Sequence, residues 1–218
     1  MKKAVFIDYM GTLMRYEGSD LRELIDCFVE NSILKSAQEV DSWWSNERIR
    51  QEEIYSGDDF RNEDEICMNI LEKAERELNL KADIDHLHKL NQSHWMYGNF
   101  YSDAAQFLER TTLPVYILSN FGGRYVRVAL KRKSLHVNAI YSSEEAKVHK
   151  PRKEFYEYAL KQAGLTGEEA ILIASRPEDL AGALECGIAG ILVDRTGMYP
   201  KGNYYKVRNL EEASRFIR

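Results

Sequence analysis

Four short stretches hold residues that could act together on an anion. They are Asp8 with Gly11-Thr12, Ser119-Asn120, Lys150-Pro151, and Ser175-Arg176-Pro177-Glu178-Asp179. A carboxylate can serve as a nucleophile, and a hydroxyl can donate to substrate oxygens. A lysine can neutralise developing negative charge, and a further acid can hold a metal or orient the lysine. The four stretches lie far apart in the chain, so only a fold can bring them to one place.

The pattern of elements supplies one. Short apolar runs rich in β-branched and aromatic residues occupy 4–9, 115–118, 139–141, 170–174 and 190–193. Continuous apolar character suits central parallel strands buried on both faces. Helical patterns separate them at 104–108, 125–130, 155–163 and 180–186. Strand-then-helix alternation predicts an α/β fold, a doubly wound parallel Rossmann-like sheet. In such sheets ligands bind beyond the carboxyl ends of the strands, which is where each of the four stretches falls.

The segment 15–98 reads differently. Leu21, Leu24, Ile25, Phe28 and Val29 mark one amphipathic helix, and Ile66, Ile70, Leu71, Ala74 and Leu78 another. Asn62 and Glu65 form a capping pair before the second, and Ser56-Gly57-Asp58-Asp59 reads as a turn. None of the four prolines lies in this half. The expected organisation is an α/β core of 1–14 and 99–218 with an all-helical cap of 15–98 inserted over the carboxyl edge of the sheet.

Composition bounds the function. The 218 residues are 44% hydrophobic and 30% charged, which suits a globular chain with a sizeable core. A net charge of -5 argues against nucleic acid as a partner but permits a small anionic substrate met by local cations. Asp8 interrupts the first apolar run, and no stretch has membrane-spanning length, so a cytoplasmic protein without membrane association is expected, as monomer or homodimer. The three cysteines, Cys27, Cys67 and Cys186, show no pairing motif; Cys27 and Cys67 read as core residues.

The four stretches in this order resemble the haloacid dehalogenase superfamily. Asp8-Tyr9-Met10-Gly11-Thr12-Leu13 matches its first motif except at Met10, and Leu118-Ser119-Asn120 matches its second. Lys150-Pro151 with Phe155-Tyr156 matches the third, and Ala174-Ser175-Arg176-Pro177-Glu178-Asp179 the fourth, with Ser175 in place of its first acid. The resemblance implies that Asp8 forms a covalent aspartyl intermediate, with Thr12, Ser119 and Lys150 as the other catalytic residues. Ser119, Asn120, Arg176 and Arg48 are the implied substrate-binding residues, Arg48 by location only, as is Arg50. Asp8, the Met10 carbonyl and Asp179 are the implied Mg²⁺ ligands.

Two departures weaken the metal and acid–base parts of that set. The thioether of Met10 cannot transfer a proton, and losing such a group costs about 10²–10⁴ in rate. Ser175 lacks the charge that Mg²⁺ prefers, so binding of Mg²⁺ is expected to be weak. The expected activity is a hydrolase acting on a small anionic metabolite, with a phosphoester slightly ahead on the habits of the superfamily. Metal-independent hydrolysis of a 2-haloacid and a non-catalytic binding role on the same fold remain as alternatives.

Blander roles were expected for other residues. Asp179 could cap a helix starting near Leu180, and Ser119 could serve a turn. Arg48 and Arg50 could be solvated helix residues. Trp43, Trp44 and Trp95 suit a helical core. His86, His88 and His94 lack the spacing of a metal site, and His149 lies beside Lys150 with an open orientation.

Overall fold

The computed structural model describes residues 1–217. Among them the chain forms one six-stranded, all-parallel sheet of β1 (Ala4–Asp8), β2 (Val115–Ser119), β3 (Ala139–Ser142), β4 (Ala170–Ala174), β5 (Ala189–Val193) and β6 (Tyr205–Val207). The spatial order is β3-β2-β1-β4-β5-β6. The order therefore reverses beside β1, between β1 and β4, and a ligand crevice opens at such a point in open α/β sheets. Asp8 stands opposite Leu118 of β2, and Ile7 opposite Ile173 of β4.

The sheet is buried on both faces, and the period of two assigns each side chain its core. Val5, Ile7, Ile117, Ile171, Ile173 and Val193 enter one apolar cluster; Phe6, Leu118, Leu172, Ala174 and Leu192 enter the other. The connection from β1 to β2 runs through α1 (Ser19–Asn31), α2 (Ala37–Ile54), α3 (Glu63–Glu77), α4 (Ile84–Tyr97) and α5 (Ala104–Arg110). Then come α6 (Gly123–Arg132), α7 (Ser143–Ala146), α8 (Lys153–Ala163), α9 (Pro177–Glu185) and α10 (Leu210–Ala213). Helices α8 and α9 cover one face, through Phe155, Tyr156, Leu180 and Ala183. The other face is covered by α5, α6 and α10.

The helical segment joins that second cluster without a break. Leu24, Phe28, Leu71 and Trp95 belong to the same apolar cluster as Ile7, Phe121 and Val126. Trp95 packs 5.2 Å from both Phe121 and Tyr125, centroid to centroid. Trp43 and Trp44 flank Phe28. The Asn62–Glu65 pair is a reciprocal capping box at the start of α3. No helix among the described residues is long and apolar enough to cross a membrane.

Some elements differ from expectation. Strand β6 escaped the reading because Tyr205 and Lys206 are exposed, so no apolar run marks it. Helix α9 starts at Pro177 with Arg176 at the N-cap position, so Asp179 is a first-turn residue and not the cap. Proline is favoured in this first turn because its missing N–H costs nothing there.

Gly182, on α9, is where the helix meets the Lys150–Pro151 segment. A Cβ at this position would lie 1.8 Å from the Pro151 carbonyl oxygen. Gly182→Ala is therefore expected to lower stability by about 3 kcal/mol, at the upper end of overpacking costs. Urea denaturation checks this, and a variant as stable as wild type would mean that α9 can slide off the segment.

Candidate active site

Lys150 lies at the centre. Its Nζ is 2.5 Å from Asp8 Oδ1 and 3.4 Å from Asp179 Oδ2, and the residue is 2% exposed. The two acids come from neighbouring parts of the sheet: Asp8 ends β1, and Asp179 lies in α9, just past β4. The turn after β1 folds back so that Leu13 and Met14 N–H both donate to the Tyr9 carbonyl. It presents the Thr12 hydroxyl, which donates to Asp8 Oδ2 at 2.9 Å. Gly11 sits in this turn at φ +85°, and a Cβ there would lie 2.6 Å from Ser175 Oγ and 2.7 Å from Tyr16 Cε2. Only glycine fits such a conformation and such an approach.

Arg176 closes the other side of Asp179. Its Nη2 donates to Oδ1 at 2.9 Å and its Nε lies 3.4 Å from Oδ2. Burial alone would raise the Asp179 pKa, but Arg176 and Lys150 outweigh it and hold the group down to about 2. For Lys150, burial favours loss of the proton; Asp179 and Asp8 together overcome this and raise its pKa. Two carboxylates and two cations thus balance one another.

Tyr16 was not anticipated. It is 51% exposed, and the edge of its ring comes up against Gly11. Crowding by neighbouring protein atoms raises its pKa to about 12, and Asp8 and Asp179 push the same way against Arg48 and Arg176. No local spacing marks it, because its place depends on the backward turn at Gly11.

The second strand end braces the lysine. Asn120 Oδ1 accepts from Lys150 N–H at 2.8 Å, and Asn120 Nδ2 donates to the Lys150 carbonyl at 3.2 Å and to Glu52 Oε1 at 3.0 Å. Its amide is thus committed to protein partners and not left free for a ligand. Ser119 Oγ accepts from Phe121 N–H at 3.0 Å, a turn contact that leaves the hydroxyl proton available.

Arg48 is not a solvated helix residue. Its Nη1 donates to Glu52 Oε1 at 2.5 Å and lies 3.9 Å from Glu63 Oε1. Arg50, by contrast, pairs with Glu47 at the surface. Burial and the neighbouring Glu52 push Glu63 well above the usual carboxylate range. Burial pushes Glu52 up, but Arg48, Glu63, Arg176 and His149 together hold it below that range. Ligand atoms of Glu52, Glu63 and His149 lie within 4.8 Å of one another, but Arg48 is already the cation of that cluster. His149 points away from Lys150 and its Nε2 meets the Arg61 carbonyl at 2.8 Å. His86 pairs with Glu23, and His88 with Asp64.

The residues do not fit Mg²⁺. Met10 can offer only its backbone carbonyl, its side chain lying in the apolar core, and Ser175 offers an uncharged hydroxyl where Mg²⁺ prefers a carboxylate. Both oxygens of Asp179 face Arg176 and Lys150, and those of Asp8 face Lys150 and Thr12. Mg²⁺ would have to displace two cations from the carboxylates it needs.

Known proteins share this architecture. Residues 2–187 match the family model for haloacid dehalogenase-like hydrolases. The chain is 29% identical over 121 residues to (S)-2-haloacid dehalogenase 4A of Burkholderia cepacia, covering 51% of this chain and 52% of that one, so the match spans about half of its length. It is 25% identical over 239 aligned positions to enolase-phosphatase E1 of Aquifex aeolicus (strain VF5), covering 97% and 99%. The solved L-2-haloacid dehalogenase RSc1362 superposes with a TM-score of 0.82 at 18% identity, covering 99% of this chain and 98% of that one. The L-2-haloacid dehalogenase of Xanthobacter autotrophicus with chloropropionic acid covalently bound gives 0.80 at 19%, covering 100% and 98%. At these identities the structural likeness is one of fold.

The depressed Asp179 pKa has a consequence for stability. A carboxyl at 3.8 in the unfolded chain and about 2 in the folded one stabilises the fold fully above about pH 4. That contribution, about 2 kcal/mol, fades as pH falls through the folded value. Asp179→Asn should therefore lose less stability than wild type between about pH 6 and about pH 3 in urea titrations. Equal losses in the two proteins would mean that Asp179 is not held by Arg176 and Lys150.

Proposed function

Since the chain belongs to the haloacid dehalogenase-like hydrolases, we propose that it is a metal-independent hydrolase of a small 2-haloacid, acting through an ester on Asp8. One observation carries this reading: the Asp179 carboxylate that a metal would need is closed by the guanidinium of Arg176 and the ammonium of Lys150. A site whose second acid is closed by two cations, with no proton donor at Met10, suits a leaving group that departs unprotonated, as a halide does.

An Asp8 oxygen attacks the carbon that bears the halogen. The new C–O bond forms as the C–X bond breaks, and the halide leaves with the bonding pair. Water then adds to the acyl carbon of the Asp8 ester. The acyl C–O bond breaks, the departing alkoxide takes one proton of the water, and the second is released as the carboxylate re-forms. The sum is R–X plus water giving R–OH, a proton and halide. Lys150 Nζ, 2.5 Å from Asp8 Oδ1, faces the oxygen that gains charge when water adds. The Thr12 hydroxyl holds the other oxygen in line. Both Asp179 oxygens face Lys150 and Arg176, and its part is to hold Lys150 in place.

The end-to-end likeness to an enolase-phosphatase supports a second reading, hydrolysis of a phosphoester with Mg²⁺. The test sets the two side by side. Halide release from 2-chloropropionate in chelator is expected, with no gain from Mg²⁺. Asp8→Asn should lower it by at least about 10⁴-fold while the protein stays folded. Phosphate release that requires Mg²⁺, with no halide release, would select the second reading. Absence of both would leave a binding protein.

Mg²⁺ affinity is a separate check. Calorimetric titration is expected to show nothing tighter than the millimolar range, about −4 kcal/mol. Micromolar binding would overturn the argument from Arg176.

A further inference from the structure

Arg195 lies just past β5, at the same sheet edge as the candidate site. Its guanidinium forks onto Asp103, with Nη1 3.0 Å from Oδ2 and Nη2 3.0 Å from Oδ1. The same Nη2 donates to the Thr12 carbonyl at 3.1 Å. The group lies over the Tyr101 ring, 3.6 Å from its centroid. Asp103 is itself fixed, since its Oδ2 also accepts from Leu210 N–H at 2.9 Å, and Arg195 holds its carboxyl below the usual range against the effect of burial. The backbone here is sewn to the turn after β1: Tyr101 N–H donates to the Leu13 carbonyl, and Arg15 N–H to the Asn99 carbonyl, both at 2.9 Å.

We infer that Arg195 is a positioning residue for the nucleophile, fixing Thr12 from behind while the Thr12 hydroxyl fixes Asp8. This rests on the proposed role of Asp8. A guanidinium suits the task because it is planar and can grip a carboxylate with two N–H groups while a third bond reaches the carbonyl. An ammonium is a point charge; it can pair with Asp103 but cannot keep the fork and the Thr12 contact in one plane. The ring of Tyr101 beneath the group blocks tilting. Thr12 therefore has little freedom along the direction that sets its hydroxyl against Asp8 Oδ2. A displacement of the reacting oxygen by about 1 Å can cost on the order of 10²-fold in rate.

The experiment compares Arg195→Lys, Arg195→Met, Thr12→Val and the Arg195→Met/Thr12→Val pair. Amide exchange in the peptide 9–15 needs no substrate. It should speed up at least about tenfold in both Arg195 variants while exchange in β4 is unchanged. For halide release, Arg195→Lys should keep the wild-type denaturation midpoint and KM within about twofold, with kcat at least about tenfold lower. In the Thr12→Val background, Arg195→Met should add less than about twofold, because the route through Thr12 is already cut. Unchanged exchange in 9–15 would overturn the inference, as would an Arg195→Met loss that multiplies with that of Thr12→Val, or full rescue of kcat by lysine. If the wild type releases no halide, the proposed function falls, and the exchange result still decides the role of Arg195.

Discussion

A buried ammonium between two carboxylates governs this molecule. Lys150 has almost no contact with solvent, and a lone charge in that position would cost several kcal/mol. It is tolerated because Asp8, at the end of β1, and Asp179, in the first turn of α9, converge on it. Two acids around one lysine would leave a surplus of negative charge, and Arg176 removes it. The sheet order serves this arrangement. With β1 and β4 side by side, their carboxyl ends deliver the two acids to one point, while Asn120, after β2, grips the Lys150 backbone. Gly182 is small because α9 must come close enough to Pro151 for Asp179 to reach.

The helical segment takes part in the same balance. Glu52 of α2 accepts from Asn120 and from Arg48, and Glu63 of α3 lies beside the same guanidinium. The helices are thus tied to the brace behind Lys150 as well as to the apolar core beneath. A movement of α2 would be felt at Asn120 before it reached Asp8. Arg48 belongs to this brace through Glu52, and its charge is also felt by Tyr16 and Arg176.

The fold was legible because its signals are local. Five of the six strands are short apolar runs, and the Asn62–Glu65 box declares the start of α3 within four residues. Asp8 and Asp179 stood out because one ends a strand and the other opens a helix, and Lys150 because Pro151 follows it in the turn before α8. The rest depends on contacts between distant segments. Glu52 meets Asn120 across 68 positions, and Arg195 meets Thr12 across 183. Their spacing carries no period that a reading of the chain could detect. Arg48 looked like one arginine among several on a polar helix, and only the packing of α2 on α3 shows that it lies between two buried acids. Strand β6 was lost for the opposite reason: it lies at the sheet edge with two exposed side chains, so burial left no mark on its sequence.

The central claim is that Asp8 itself attacks the substrate and is then regenerated by water. A single turnover with enzyme in excess of 2-chloropropionate, run in water enriched in heavy oxygen, tests it directly. Water that opens the Asp8 ester leaves its oxygen on the carboxylate, while the product takes its oxygen from Asp8. The account predicts heavy oxygen in the peptide 4–15, at Asp8, and none in the hydroxy acid formed in that first turnover. Heavy oxygen in the product with an unlabelled peptide would mean that water attacks the substrate directly and that no ester forms on Asp8.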